Sequence, residues 1–138
     1  MSTSGRAART AATLGFAAVP WAVCGTVMMV GRQVTSLDNA LVIHALVVPV
    51  AFGAAARAHS RRYPDAAPLR TAAAFLGFAL VMDALVVAPV LEHSYAMFAS
   101  VPGTWVPFAL IFGSVYVATA IGRPGRGAAG ADPSRRAA

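Results

Sequence analysis

Asp83 stands inside an apolar run, Ala73 to Val90, that is long enough to cross a bilayer. An acid at that depth costs at least about 2.5 kcal/mol, so it is either paired or has a task. Read functionally, an intramembrane carboxyl is a proton carrier or the counter-ion of a cationic solute. Read structurally, it is a protonated or hydrogen-bonded acid joining two helices, worth about 1 kcal/mol. Three more ionisable residues stand in or beside apolar runs: His44, Glu92 and His93. A histidine near the end of a span is either an interfacial hydrogen-bonding group or a proton relay, and a pairing with Asp83 would favour the relay. Glu92 and His93 invite a metal reading, with His44 as a third ligand and Met97 nearby. Neighbouring residues on a helix point about 100° apart, however, and no HxxxH or CxxC spacing is present. A solvated helix end accounts for the pair better, and neither a metal site nor a cofactor is expected. The chain also carries no nucleophile elbow, phosphate loop or paired-acid motif, so nothing argues for a standard soluble-enzyme active site.

The elements that must position these groups are apolar throughout. Of 138 residues, 58% are hydrophobic and only 12% charged, and none of the long segments has the polar face that a soluble helix needs. Four spans are expected, at about 11–31, 40–56, 71–91 and 104–121. Short polar connections force neighbours to run antiparallel, which predicts an all-α fold: a polytopic transmembrane four-helix bundle as one domain over residues 1–121. Residues 1–9 read as a short mobile basic arm, and 57–70, with four arginines and two prolines, as a loop. The segment from Glu92 to Gly103, with its aromatic residues and Met97, is expected to lie at the interface. In span four, Trp105 reads as an interfacial anchor and Pro107 as a first-turn proline. Residues 122–138, mostly Gly, Ala, Pro and Arg, are predicted to be a disordered cytoplasmic tail. The N-terminal run is too long for a signal-peptide core, and Trp21-Ala22-Val23 before Cys24 lacks a lipoprotein pattern. The lone Cys24 reads as packing, and Gly15, Ala18, Ala22 and Gly25 form a smooth stripe suited to helix contact.

All eleven basic residues are arginines, and their distribution sets the expected orientation. With the N-terminus inside, ten of them fall on the cytoplasmic side and only Arg32 outside, which predicts N-in/C-in in the inner or plasma membrane. Arginines that flank apolar spans also argue against a nucleic-acid partner, in spite of the net charge of +6. Depth follows from a rise of about 1.5 Å per residue: Asp83 lies about 12 Å below the outer end of its helix and His44 about 6 Å below its own. The two make a ladder from the outer rim of Glu92 and His93, and the inner half holds no ionisable residue. Trp21, Thr26, Ser114 and Thr104 are the further polar groups expected to line this site. Pro20, Pro49 and Pro89 should free the carbonyls of Phe16, Ala45 and Leu85 to hold water or a cation, unless local distortion satisfies them.

Met82-Asp83-Ala84-Leu85, then Glu92, Ser94, Met97-Phe98-Ala99-Ser100 and Gly103-Thr104-Trp105-Val106-Pro107-Phe108, resemble small four-span bacterial membrane proteins of uncharacterised function. The resemblance covers about a third of the chain. It implies that Asp83, Glu92 and the Gly-Thr-Trp turn belong together at the outer side. Small multidrug exporters are similar in length and span number, but their essential acid lies in the first span, where this chain has none.

Two functions follow as expectations. One is a proton- or cation-linked small-solute transporter, oligomeric because four short helices rarely enclose a pathway alone, with Asp83 as its coupling acid. The alternative is a non-catalytic membrane subunit or regulatory partner whose Asp83 bonds to a helix of another protein. A membrane enzyme, or a haem or quinone carrier using His44, is a third and lesser expectation. The bilayer itself is the one partner common to all of them.

Overall fold

A computed structural model describes residues 3–122; the first two residues and 123–138, including nearly all of the expected tail, lie outside the described residues. Those described form four long helices and no strand. Helix α1 is Thr3–Val34, α2 is Leu37–Arg62, α3 is Pro68–Met82 and α4 is Val106–Ile121. A π-helical segment, Asp83–Leu91, continues α3, and another, Val101–Trp105, leads into α4. Taken as continuous spans of 32, 26, 24 and 21 residues, all four are long and apolar enough to cross a membrane. Their outward residues agree: Val19, Leu46, Val50 and Leu85 are each about two-thirds exposed, an arrangement that suits lipid and not water.

The local reasons are visible in the sequence. Only Thr35 and Ser36 separate α1 from α2; the Ser36 side chain caps α2 by accepting a hydrogen bond from the backbone N–H of Asn39 at 3.3 Å. The hairpin closes tightly because Gly31 has no side chain: a Cβ there would come 3.1 Å from that of the fully buried Ala40. Pro68 starts α3 at a position where its missing N–H costs nothing. Pro107, expected as a first-turn proline, instead follows the helical segment Val101–Trp105, so its missing N–H leaves that segment one donor short. Helix α2 packs against α1 and α4, and α3 against α4 and α1, around a core that includes Ala17, Val48, Phe52, Phe75, Ile111 and Val115.

Several sequence expectations need correction. Arg6 and Arg9 belong to a helical extension of α1, not to a mobile arm. Helix α2 does not stop where the arginines begin but runs on to Arg62, so the expected loop shrinks to the few residues around Pro64 and Asp65. His59 thereby becomes part of a helix and is buried, which gives the end where α1 begins and α4 finishes an enclosed ionisable residue after all. The small-residue stripe on α1 is not its packed face: a Cβ at Gly15 or Gly25 would meet nothing within 4 Å, and the buried residues are Ala17, Pro20 and Cys24.

The two ends of the molecule differ in charge. Thr13 touches His59, and Gly122 approaches Ser60, so the start of α1, the end of α2 and the end of α4 lie together. This basic end holds Arg6, Arg9, Arg57, Arg61, Arg62 and Arg70, whereas Arg32 lies at the opposite, loop end beside Glu92.

Candidate functional site: a cavity around Asp83

Asp83 sits where α3 changes pitch. Its backbone N–H still reaches the carbonyls of Ala79 and Leu80, but from Asp83 onward the turns widen, and the N–H of Glu92 bonds to Val87, five residues back, at 2.8 Å. Pro89 lies inside this widened stretch and has no N–H to give. The α-helical spacing behind the expectation of a freed Leu85 carbonyl therefore does not apply there.

Trp21 donates its indole N–H to Asp83 Oδ1 at 2.9 Å. The indole is itself held edge-on against Phe78, with ring centroids 6.3 Å apart. This is the single hydrogen bond to the carboxyl among the described residues, and the half-buried acid lines a cavity of about 320 Å³. Three helix faces form most of its wall by regular spacing. On α1 these are Trp21, Cys24, Met28 and Arg32; on α2, Leu37, Leu41, His44, Val48 and Phe52; on the third span, Ala79, Asp83, Val87 and Leu91. Phe108 and Ile111 of α4 complete it.

His44 lines the same cavity, and its buried Nδ1 has no hydrogen-bond partner. Among the described residues no hydrogen bond joins it to Asp83; the two line the same space. Glu92 lies at the rim and pairs with Arg32, tying α1 to the end of the third span. The structure thus brings Trp21, His44, Asp83 and Glu92 together. It does not bring in the others. His93 is exposed, with a positive φ of 50°, and does not line the cavity. Thr26 is exposed and donates to Ala22 O at 2.8 Å, and Ser114 donates to Ile111 O at 3.2 Å, so both hydroxyls are spent on their own helices.

Thr104 acts one step removed. Fully buried, it donates to Met97 O at 2.8 Å, while Trp105 donates its indole N–H to Phe98 O at 3.0 Å. These bonds fasten the short 3₁₀ turn Ala96–Ala99 onto the start of α4 and set Met97 and Ser100 against the cavity. Gly103 lets this turn close tightly: its N–H donates to Ser100 Oγ at 3.1 Å, and a Cβ would sit 2.9 Å from that oxygen and displace it.

Sequence reasoning placed Cys24 at the right depth but missed Met28, Arg32 and Phe108 as wall residues. Met28 and Arg32 could have been found, since with Trp21 and Cys24 they recur at three- and four-residue spacing on one helix face. Phe108 depends on how α4 is rotated, which no spacing rule supplies. Among the described residues no three His, Cys, Asp or Glu side chains are placed to hold a metal ion.

At the floor, Phe52 meets Phe75 with ring centroids 6.3 Å apart. Beyond that layer lies His59, only 2% exposed, against Phe75, Phe16 and Tyr63 at centroid distances of 6.0, 5.5 and 5.0 Å. Its Nε2 is 3.0 Å from Thr13 Oγ1. The cavity therefore lies on the loop side of the Phe52–Phe75 layer, with packed aromatic rings on the basic side. No protein-family model, curated protein or solved structure matches this chain, so the functional reading rests on this geometry.

Proposed function

We propose that the chain is a transmembrane four-helix bundle, with both termini cytoplasmic in an inner or plasma membrane, that moves a small solute with proton or cation coupling through Asp83. One observation carries the reading: a carboxyl with a single hydrogen bond, from Trp21, faces a cavity inside a helix long enough to span a bilayer. An acid used only to join helices would be expected to fill its bonding capacity within the packed core. One left facing a space, with a second polar ring at His44, is arranged to exchange a proton or receive a cation. Transport further requires the Phe52–Phe75 layer to part and expose Asp83 to the basic side, where His59 stands next. The clustering of arginines at that end supports a cytoplasmic assignment. A C-terminal reporter active only in the cytoplasm checks it.

The alternative, a non-catalytic subunit whose Asp83 bonds to a partner helix, is less well supported, because the acid faces a cavity walled by this chain's own helices and not an outward face. The discriminating experiment is infrared titration of the reconstituted full chain, wild type against Asp83→Asn. A protonated-carboxyl band that is lost in the variant and that changes with pH across the physiological range is expected. If no such band changes state, proton coupling through Asp83 fails and the subunit reading replaces it.

A further inference from the structure

Which solute the cavity suits can be argued from its walls. At roughly 30 Å³ per liquid water, 320 Å³ holds about ten waters, or an organic molecule of one ring with a short arm. The deep part is apolar, with Leu41, Val48, Phe52, Val87, Phe108 and Ile111 among its walls, and it favours a ligand with an apolar body. Met28 and Met97 give the wall an adaptable surface.

The charge balance narrows the class. Arg32 and Glu92 cancel each other at the rim, which leaves Asp83 as the one acid in the deep part, with no arginine beside it. An anionic solute would find no positive partner in the deep part, and a neutral one would offer the carboxyl no counter-charge when it is ionised. A bare divalent cation calls for six or more oxygen ligands, which one carboxyl and a histidine do not supply. An ammonium needs only one carboxylate, and aromatic rings, of which Trp21 and Phe108 line the cavity, attract it where it meets their faces.

We infer that the cavity binds a small organic amine in its cationic form, an aryl-alkyl ammonium, with the ammonium on Asp83 and the ring among Leu41, Val87 and Met97. This rests on the reading of the cavity as a solute site and goes further in giving the solute's chemistry.

The test uses the purified full chain in detergent micelles, with 2-phenylethylammonium as the probe and 2-phenylethanol as its neutral counterpart. Competition against radiolabelled amine reads binding. The amine is expected to bind wild type, to bind Asp83→Asn about tenfold or more weakly, and to be displaced poorly by the alcohol. A second variant, Leu41→Trp, keeps the acid but fills the space, and should abolish binding while the protein stays folded. The inference is overturned if wild type does not bind the amine, if the alcohol competes as well as the amine does, or if Leu41→Trp binds unchanged. The two proposals fail separately. A titrating Asp83 band without amine binding removes the ligand class and keeps proton coupling, whereas amine binding to an Asp83 that never changes state keeps the ligand class and removes proton coupling.

Discussion

Helix α2 presents two histidines on one face, His44 and His59, and places them in opposite surroundings. His59 is packed on several sides by aromatic rings and bonded through Nε2 to Thr13. The Thr13 hydroxyl also lies 2.9 Å from Arg9 O. If its one proton goes there, as is usual for a helical threonine, His59 donates from Nε2 and its unpartnered Nδ1 is a bare acceptor. That is cheaper to bury than an orphaned N–H. His44 also has a buried, unpartnered Nδ1, but it borders an open cavity with an acid on another wall. Residue type and helix are the same in both cases; what differs is whether the neighbours fill the space. At the basic end Phe16, Tyr63 and Phe75 do, with Arg9 and Arg62 stacked over Tyr63 at 5.2 and 5.5 Å. At the loop end the wall of Leu, Val and Met side chains stops short of closure.

Removing a filler should therefore cost far more at one end than at the other. Phe75→Ala takes a fully buried ring out of contact with Phe52 and His59, and should destabilise the protein by about 3 kcal/mol. Met97→Ala removes a half-buried side chain that borders an existing void, and should cost less than about 1 kcal/mol. Equal losses in a denaturant titration in micelles would erase the contrast between a packed end and an open one. The next effect down tests Asp83. Trp21→Phe keeps a ring against Phe78 but deletes the donor, with an expected loss of about 1 to 2 kcal/mol and a shifted carboxyl band for Asp83 in the infrared. An unmoved band would mean that the indole does not hold the acid. Thr13→Val takes the partner of His59 at nearly constant volume and should cost about 1 kcal/mol, with amine binding at the far cavity unchanged. A loss of binding would instead show that the two ends are coupled through the Phe52–Phe75 layer.

Which of these features the sequence discloses depends on how far each is set locally. Four apolar helices follow from composition, and Trp21, His44, Asp83 and Glu92 follow from depth, because rise per residue is the same in any helix. The continuation of α2 past Ala56 does not. Arg57, Arg61 and Arg62 look like the start of a loop, yet they ride on the exposed side of a helix that His59 and Ser60 anchor from the buried side. That anchoring is tertiary, supplied by Phe16 on α1 and Phe75 on α3, and no local pattern announces it. The stripe of Gly15, Ala18, Ala22 and Gly25 misleads for a related reason: small residues mark a smooth face, while larger neighbours decide which face is used. The pitch change at Asp83 has a visible companion in Pro89, but no local pattern announces that the turns widen there.

The smallest expected effect bears on the rim. Arg32 and Glu92 join α1 to the end of the third span across the cavity mouth, and their side chains are 46% and 31% exposed. Water and salt screen such a pair, so Arg32→Gln should lower stability by about 0 to 1 kcal/mol, and less in high salt than in low. Its effect on the cavity should be larger than its effect on folding. With Arg32 neutral, Glu92 stands unbalanced at the mouth, and the two acids Glu92 and Asp83 then draw a cation inward together. Association of 2-phenylethylammonium should therefore quicken in Arg32→Gln at low salt and return to the wild-type rate at high salt. An unchanged rate at low salt would mean that the amine does not enter past this pair, and the contrast between the ends would then need a different door.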